Sequence, residues 1–184
     1  MALCSKYRGI KEGETQIVDN IPTIKRKEKS AYHPSDLWTD DDHILFFKYC
    51  SNKRDRCYHA MAVDTSCRPN EILRLKIKDI IFKMSDDKQY AEVLVNGKTD
   101  IRVIPLFNSI PFLKDWIEDH PQGRNPSAIL FCGLGKRMGR QLSRYAIYDI
   151  YEHYKKQVFP SLLLDPNVPK GDKEQLSMLL KKTI

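Results

Sequence analysis

The stretch MAVDTSCRPNEILRLKIKDI, Met61–Ile80, sets an arginine, a proline and a glutamate inside an apolar helical pattern. Before it, Cys57, Tyr58, Ala60, Met61 and Val63-Asp64 predict a mostly buried helix. After it, Pro69 sits where a first helical turn tolerates proline, because the missing amide proton would have no intrahelical acceptor. Ile72, Leu73 and Leu75 give this next helix an apolar face. Arg68 therefore falls at a junction of two helices. There it is either a surface arginine near a helix start or a fork aimed at a phosphate.

Upstream of this stretch, Thr39 followed by Asp40, Asp41 and Asp42 predicts a helix start. The hydroxyl caps free amides and the acids sit at the positive end of the dipole. Three contiguous acids do not share one helix face, so they read as caps and not as a metal set. Downstream, the hydrophobic period shortens. DIIFK (79–83), QYAEVLVN (89–96) and DIRVIPL (100–106) predict a three-stranded antiparallel sheet, the last strand ended by Pro105. Asn96-Gly97 predicts a tight reversal carrying Lys98. Helix signals return from Asn108 to Glu118. A loop, a short apolar run from Ala128 to Cys132 and the basic, glycine-punctuated GLGKRMGRQLS follow. Ser143 predicts a cap for a helix from Arg144 to about Val158, and a last helix spans about Lys173 to Lys181. Tyr145, Tyr148, Tyr151 and Tyr154 recur every three residues, a spacing that predicts core and rim packing along one side of a helix.

The 184 residues fit one domain with a short arm. Residues 1–37 read as a basic N-terminal arm or interdomain linker, broken by Pro22 and Pro34, and residues 38–184 as the compact part. A net charge of +7 favours an anionic partner, with nucleic acid first. Five cysteines at irregular spacing, without a CxxC pair, predict free thiols in a reducing cytosol. The N-terminus lacks a signal-peptide pattern, and no stretch approaches the ~20 apolar residues of a membrane span.

Arg68, Lys98 and the basic stretch Lys136–Arg144 suggest one chemistry together. A scissile phosphodiester gains charge in its pentacoordinate transition state. Arginine offers a planar, permanently charged fork to the nonbridging oxygens. A turn lysine reaches the leaving oxygen to donate a proton or add positive charge.

AVDTSCRPNEILRLKIKDI resembles the first conserved box of the tyrosine recombinases, the phage integrase and Xer-like family, whose usual form is Thr-Gly-x-Arg followed by x-x-Glu-Leu/Ile. VNGKTDIRVIPL resembles the family's lysine turn, matching at Lys98, Arg102, Pro105 and Leu106. AILFCGLGKRMGRQLSRYAIYDIYEHY resembles the segment that follows, and the likeness covers about residues 38–160. It implies an α+β fold: a mainly helical catalytic domain with a small three-stranded antiparallel sheet, C-terminally incomplete. It implies that Arg68 holds the scissile phosphate, that Glu71 supports it and that Lys98 is the general acid for the leaving 5′-hydroxyl. Strand transfer would run through a 3′-phosphotyrosine with no metal, no ATP and no other cofactor. The implied partner is double-stranded DNA, with self-association on DNA in the complete protein and a cytoplasmic, nucleoid-associated location. Lys25, Arg26, Lys27, Lys29, Arg102, Lys136, Arg137, Arg140 and Arg144 are the expected DNA-backbone contacts.

Three departures qualify the likeness. Ser66 stands where the family has glycine. No histidine has an arginine three residues later; His153 has Lys156 there. No tyrosine follows Leu162, so the nucleophile is missing. The expectation is a portion of a recombinase that does not cleave DNA efficiently alone. The alternatives are a non-catalytic DNA-binding relative or regulator derived from the integrase fold, and a soluble basic scaffold or protein-binding domain whose match is coincidental.

Overall fold

Thr39 opens the first helix, α1 (Asp40–Tyr49), through a capping box: its N–H and Oγ1 both donate to Asp42, at 2.7 and 2.9 Å. The computed structural model describes residues 33–85, 88–97 and 100–182. Its compact unit begins at His33, ahead of the boundary expected at 38, and Pro34–Asp36 form a 3-10 turn. Of the three acids only Asp42 is buried, and it pairs with Lys182.

Helix α2 (Lys53–Thr65) starts where the Asn52 side chain accepts the N–H groups of Arg54 and Asp55. Its polar first turn hid that start from the apolar pattern. Helix α3 (Pro69–Ile72) is a single turn, shorter than the pattern through Leu75 predicts. The Leu75 carbonyl instead accepts the N–H of Leu130 at 2.8 Å, and Lys76 pairs with Ile129. The buried segment 128–132 thus takes over the backbone that a longer helix would have used.

Strands β1 (Ile80–Ser85), β2 (Lys88–Asn96) and β3 (Ile101–Leu106) form an antiparallel sheet in that order. Ala91 lies between Phe82 and Leu106, and Val93 between Ile80 and Ile104. This face meets the core, where Ala91, Val93 and Leu106 are buried. Asn96 pairs with Ile101 across the reversal that Asn96-Gly97 predicts. One expectation fails in detail. Pro105 does not end its strand; it sits opposite Glu92 on the edge strand β3, where a missing N–H leaves no ladder bond unmade.

Helix α4 (Ile110–Asp119) packs on α2 through Ile110, Leu113 and Trp116. Helix α5 (Arg144–His153) is capped by the Ser143 hydroxyl, which accepts the N–H of Ala146. The helix expected to continue to Val158 instead widens into a π turn at Tyr154–Val158 and resumes as α6 (Phe159–Leu164). Pro160 has no N–H for the carbonyl four residues back, and the wider turn absorbs that lost bond. Helix α7 (Lys170–Leu179) begins before its expected start and packs on α1.

Two hydrophobic clusters result. The larger joins α2, the inner sheet face, α4 and the segment 130–132; the smaller joins α1, the π turn, α6 and α7. Ile150 and Tyr151 of α5 touch both. The tyrosine row of α5 is split. Tyr154 is buried and takes a hydrogen bond from the Cys50 thiol at 3.0 Å, whereas Tyr145 and Tyr148 are exposed.

Candidate functional site

The junction between α2 and α3 is built by four consecutive residues. Thr65 Oγ1 donates to the Met61 carbonyl at 2.7 Å and accepts the Cys67 N–H at 3.2 Å. Ser66 ends α2 in the left-handed region, φ 52° and ψ 25°, where glycine is ordinarily favoured. Arg68 is extended, and its N–H donates to the Glu71 carboxylate at 3.0 Å. This fixes the Arg68 backbone while the side chain stays exposed.

Glu71 has a second partner. Its carboxylate accepts the Arg102 guanidinium from β3 at 2.9 Å, and its side chain is only 10% exposed. The Arg68 N–H is the main cause that holds this carboxyl below its usual range. Arg102 and the Arg68 charge add to the effect against the opposing penalty of burial. Arg102 also reaches Cys67 Sγ at 3.4 Å. The loop from β2 to β3 closes on this pair: a Cβ at Gly97 would lie 3.1 Å from the Arg102 guanidinium and 3.3 Å from Glu71 Oε1. Gly97 N–H donates to the Asp100 carbonyl at 2.9 Å. Arg68, Glu71, Arg102 and the described end of the lysine turn therefore meet. Lys98 itself lies outside the described residues, as do Lys25, Arg26, Lys27 and Lys29.

Arg144 approaches the junction from the other side. With Ser66, Pro69, Tyr148, His43 and Trp38 it lines a cleft of about 630 Å³ between α2 and α5. Lys136, Arg137 and Arg140 are exposed on the loop before α5, which is closed by Gly133 N–H donating to the Arg140 carbonyl at 2.7 Å. None of the three lines this cleft. His153 packs against the Tyr154 ring and Lys156 pairs with Glu152, so neither joins the Arg68 cluster.

Two contributors escape the sequence pattern. Asp64 Oδ2 accepts the N–H groups of Phe107, Asn108 and Ser109 and the Ser109 hydroxyl, at 2.9 to 3.1 Å. It ties the end of α2 to the start of α4. Behind Arg144, His59 bridges His43 (3.0 Å) and the Tyr151 hydroxyl (2.8 Å). Burial pushes His59 down to about 3, so it is neutral at physiological pH. Neither group sits at a motif spacing; the only sequence signal is a polar residue amid an apolar helix.

A family model described as "Phage integrase family" matches residues 40–163, most of the chain and all of the Arg68 junction. The chain belongs to the phage integrase family. Among solved structures, this integrase-family chain is similar to a recombinase described as "XerH site-specific recombinase bound to difH substrate: pre-cleavage complex". The two share 22% identity over 79% of this chain and 41% of that one, with a TM-score of 0.49. The integrase-family chain thus spans less than half of that recombinase. No curated protein matches it.

Proposed function

We propose that this chain is the DNA-holding portion of a site-specific tyrosine recombinase, acting in DNA integration and recombination by transesterification in the complete protein. The observation that carries the reading is the Arg68 junction. A built cap presents one exposed arginine, braced through Glu71 against Arg102 and the lysine turn, in a chain of the integrase family. On this reading Arg68 grips the nonbridging oxygens of the scissile phosphate. Glu71 fixes both arginines, and Lys98 donates the proton to the leaving 5′-oxygen. Arg144 and the basic loop hold flanking phosphates, and the protein works at the nucleoid.

A second reading, a DNA-binding relative without strand transfer, is favoured by the tyrosines. Tyr154 is buried, Tyr151 is bound to His59, and the Tyr145 hydroxyl takes the Arg144 guanidinium. One experiment tests the DNA binding that both readings share and the chemistry that neither grants to these residues alone. The chain is titrated with duplex DNA over a range of salt and then incubated with a nicked suicide substrate. Salt-dependent binding weakened by Arg68→Ala is expected, with no covalent adduct from these 184 residues. Binding indifferent to salt and to Arg68 would defeat both DNA readings. A protein–DNA adduct would show that a tyrosine of this chain is itself the nucleophile.

A further inference from the structure

A second cleft, of about 430 Å³, lies between the end of α3 and the start of α5. Asn70, Leu73 and Arg74 form one wall; Gln141, Ser143, Arg144 and Tyr145 form the other. The Gln141 side-chain amide donates to the Leu73 carbonyl at 3.0 Å, which pins the two walls together. Arg74 and Arg144 are both exposed, and among the described residues neither has a carboxylate in ion-pair range. The cleft lining contains no acidic residue. Two guanidinium groups that line one opening without a carboxylate partner present it with a positive charge that an entering anion can bridge.

Arg144 is also aimed. Its guanidinium donates to the Tyr145 hydroxyl at 3.0 Å and lies 4.9 Å from the centre of that ring. Tyr145 thereby spends its acceptor on Arg144 and keeps its O–H proton for an outside acceptor. Arg74 and Arg144 can only donate to whatever enters, and Tyr145 and the Asn70 amide add further N–H and O–H donors. Arg74 follows Glu71 by three residues, so this opening is rigidly connected to the Arg68 junction.

We propose that this cleft is a phosphate seat for duplex DNA, in which Arg74 and Arg144 clamp one backbone phosphate beside the one held by Arg68. It rests on the DNA-binding reading above and deepens it by naming a second grip and its residues. Arg74 supplies a fork from α3, Arg144 a fork from α5, and Tyr145 positions Arg144. A phosphate so held sets the register of the duplex on the protein and carries no base information.

The test is fluorescence anisotropy with labelled duplex DNA across a salt series, for the wild-type chain and for Arg74→Ala, Arg74→Lys, Tyr145→Phe and Arg68→Ala. Thermal unfolding verifies that each variant is folded. Arg74→Ala is expected to weaken binding about tenfold and to lower the salt slope by about one. Arg74→Lys keeps the slope but loses part of the affinity, because a point charge replaces a fork. Tyr145→Phe weakens binding severalfold with the slope unchanged, the mark of a residue that orients a charge. If Arg68→Ala weakens binding while Arg74→Ala leaves affinity and slope at wild-type values, the seat is disproved and the DNA reading stands. If the wild-type chain does not bind duplex DNA, both fall together.

Discussion

Arg68 owes its exposure to its neighbours. Thr65 closes α2, Ser66 turns the chain through the left-handed region, and Glu71 captures the Arg68 N–H. Ser66 is the strained member, since a Cβ at positive φ crowds the following carbonyl by about 1–2 kcal/mol. Ser66→Gly removes that crowding but gives the unfolded chain more freedom. A net gain of about 0.5–1 kcal/mol is expected, read as a higher denaturant midpoint at constant slope. Unchanged or lower stability would show that the serine hydroxyl compensates for its backbone. The same sequence position was legible beforehand: the family has glycine there, and the conformation explains why.

At the scale of elements, Asp64 organises more than its exposure suggests. Helix α4 has no side-chain cap from its own Ser109; Asp64 of α2 instead holds the three residues that lead into it, accepting the N–H groups of Phe107, Asn108 and Ser109. One carboxylate therefore holds α4 in register with the end of α2 and hence with the Arg68 junction. Asp64→Ala is expected to lower stability by about 2 kcal/mol, because several amides lose their charged acceptor at once. Asp64→Asn should recover part of this, since the amide oxygen still accepts. Chemical denaturation of the pair tests it: equal stability of Asp64→Ala and wild type would mean that water replaces the carboxylate. No local pattern announces this contact, which joins residues more than forty apart.

For the whole molecule, the chain His43–His59–Tyr151 ties α1, α2 and α5 across the two hydrophobic clusters. His59 is 5% exposed and held near 3, from an ordinary value of 6.5, by burial first and by His43 second. The unfolded chain takes up its proton near pH 6.5 while the folded chain refuses it. The stability from keeping His59 neutral is therefore complete above about pH 6.5 and is lost as pH falls toward about 3. The slope in this window is up to about 1.4 kcal/mol per pH unit. His43, also lowered by burial, adds in the same direction. His59→Phe should flatten the decline between about pH 7 and about pH 5, above the carboxylate range, in unfolding curves measured at each pH. A decline identical to wild type would place its cause elsewhere.

The sequence by itself determined the elements and the family. Alternating apolar residues fixed three strands, Thr39, Pro69 and Ser143 marked helix starts, and the box around Arg68 marked the family. These are local consequences of backbone geometry and of burying one face, so they survive in a linear reading. Tertiary structure decided what the elements do to one another. It cut α3 to one turn by giving its backbone to residues 128–132. It sent Glu71 to Arg102, brought Arg144 beside Ser66 and Pro69, and set Arg74 across from Arg144. Such contacts depend on distance through space between residues remote in the chain. A carboxylate or guanidinium carries no mark of its partner until packing brings the two together.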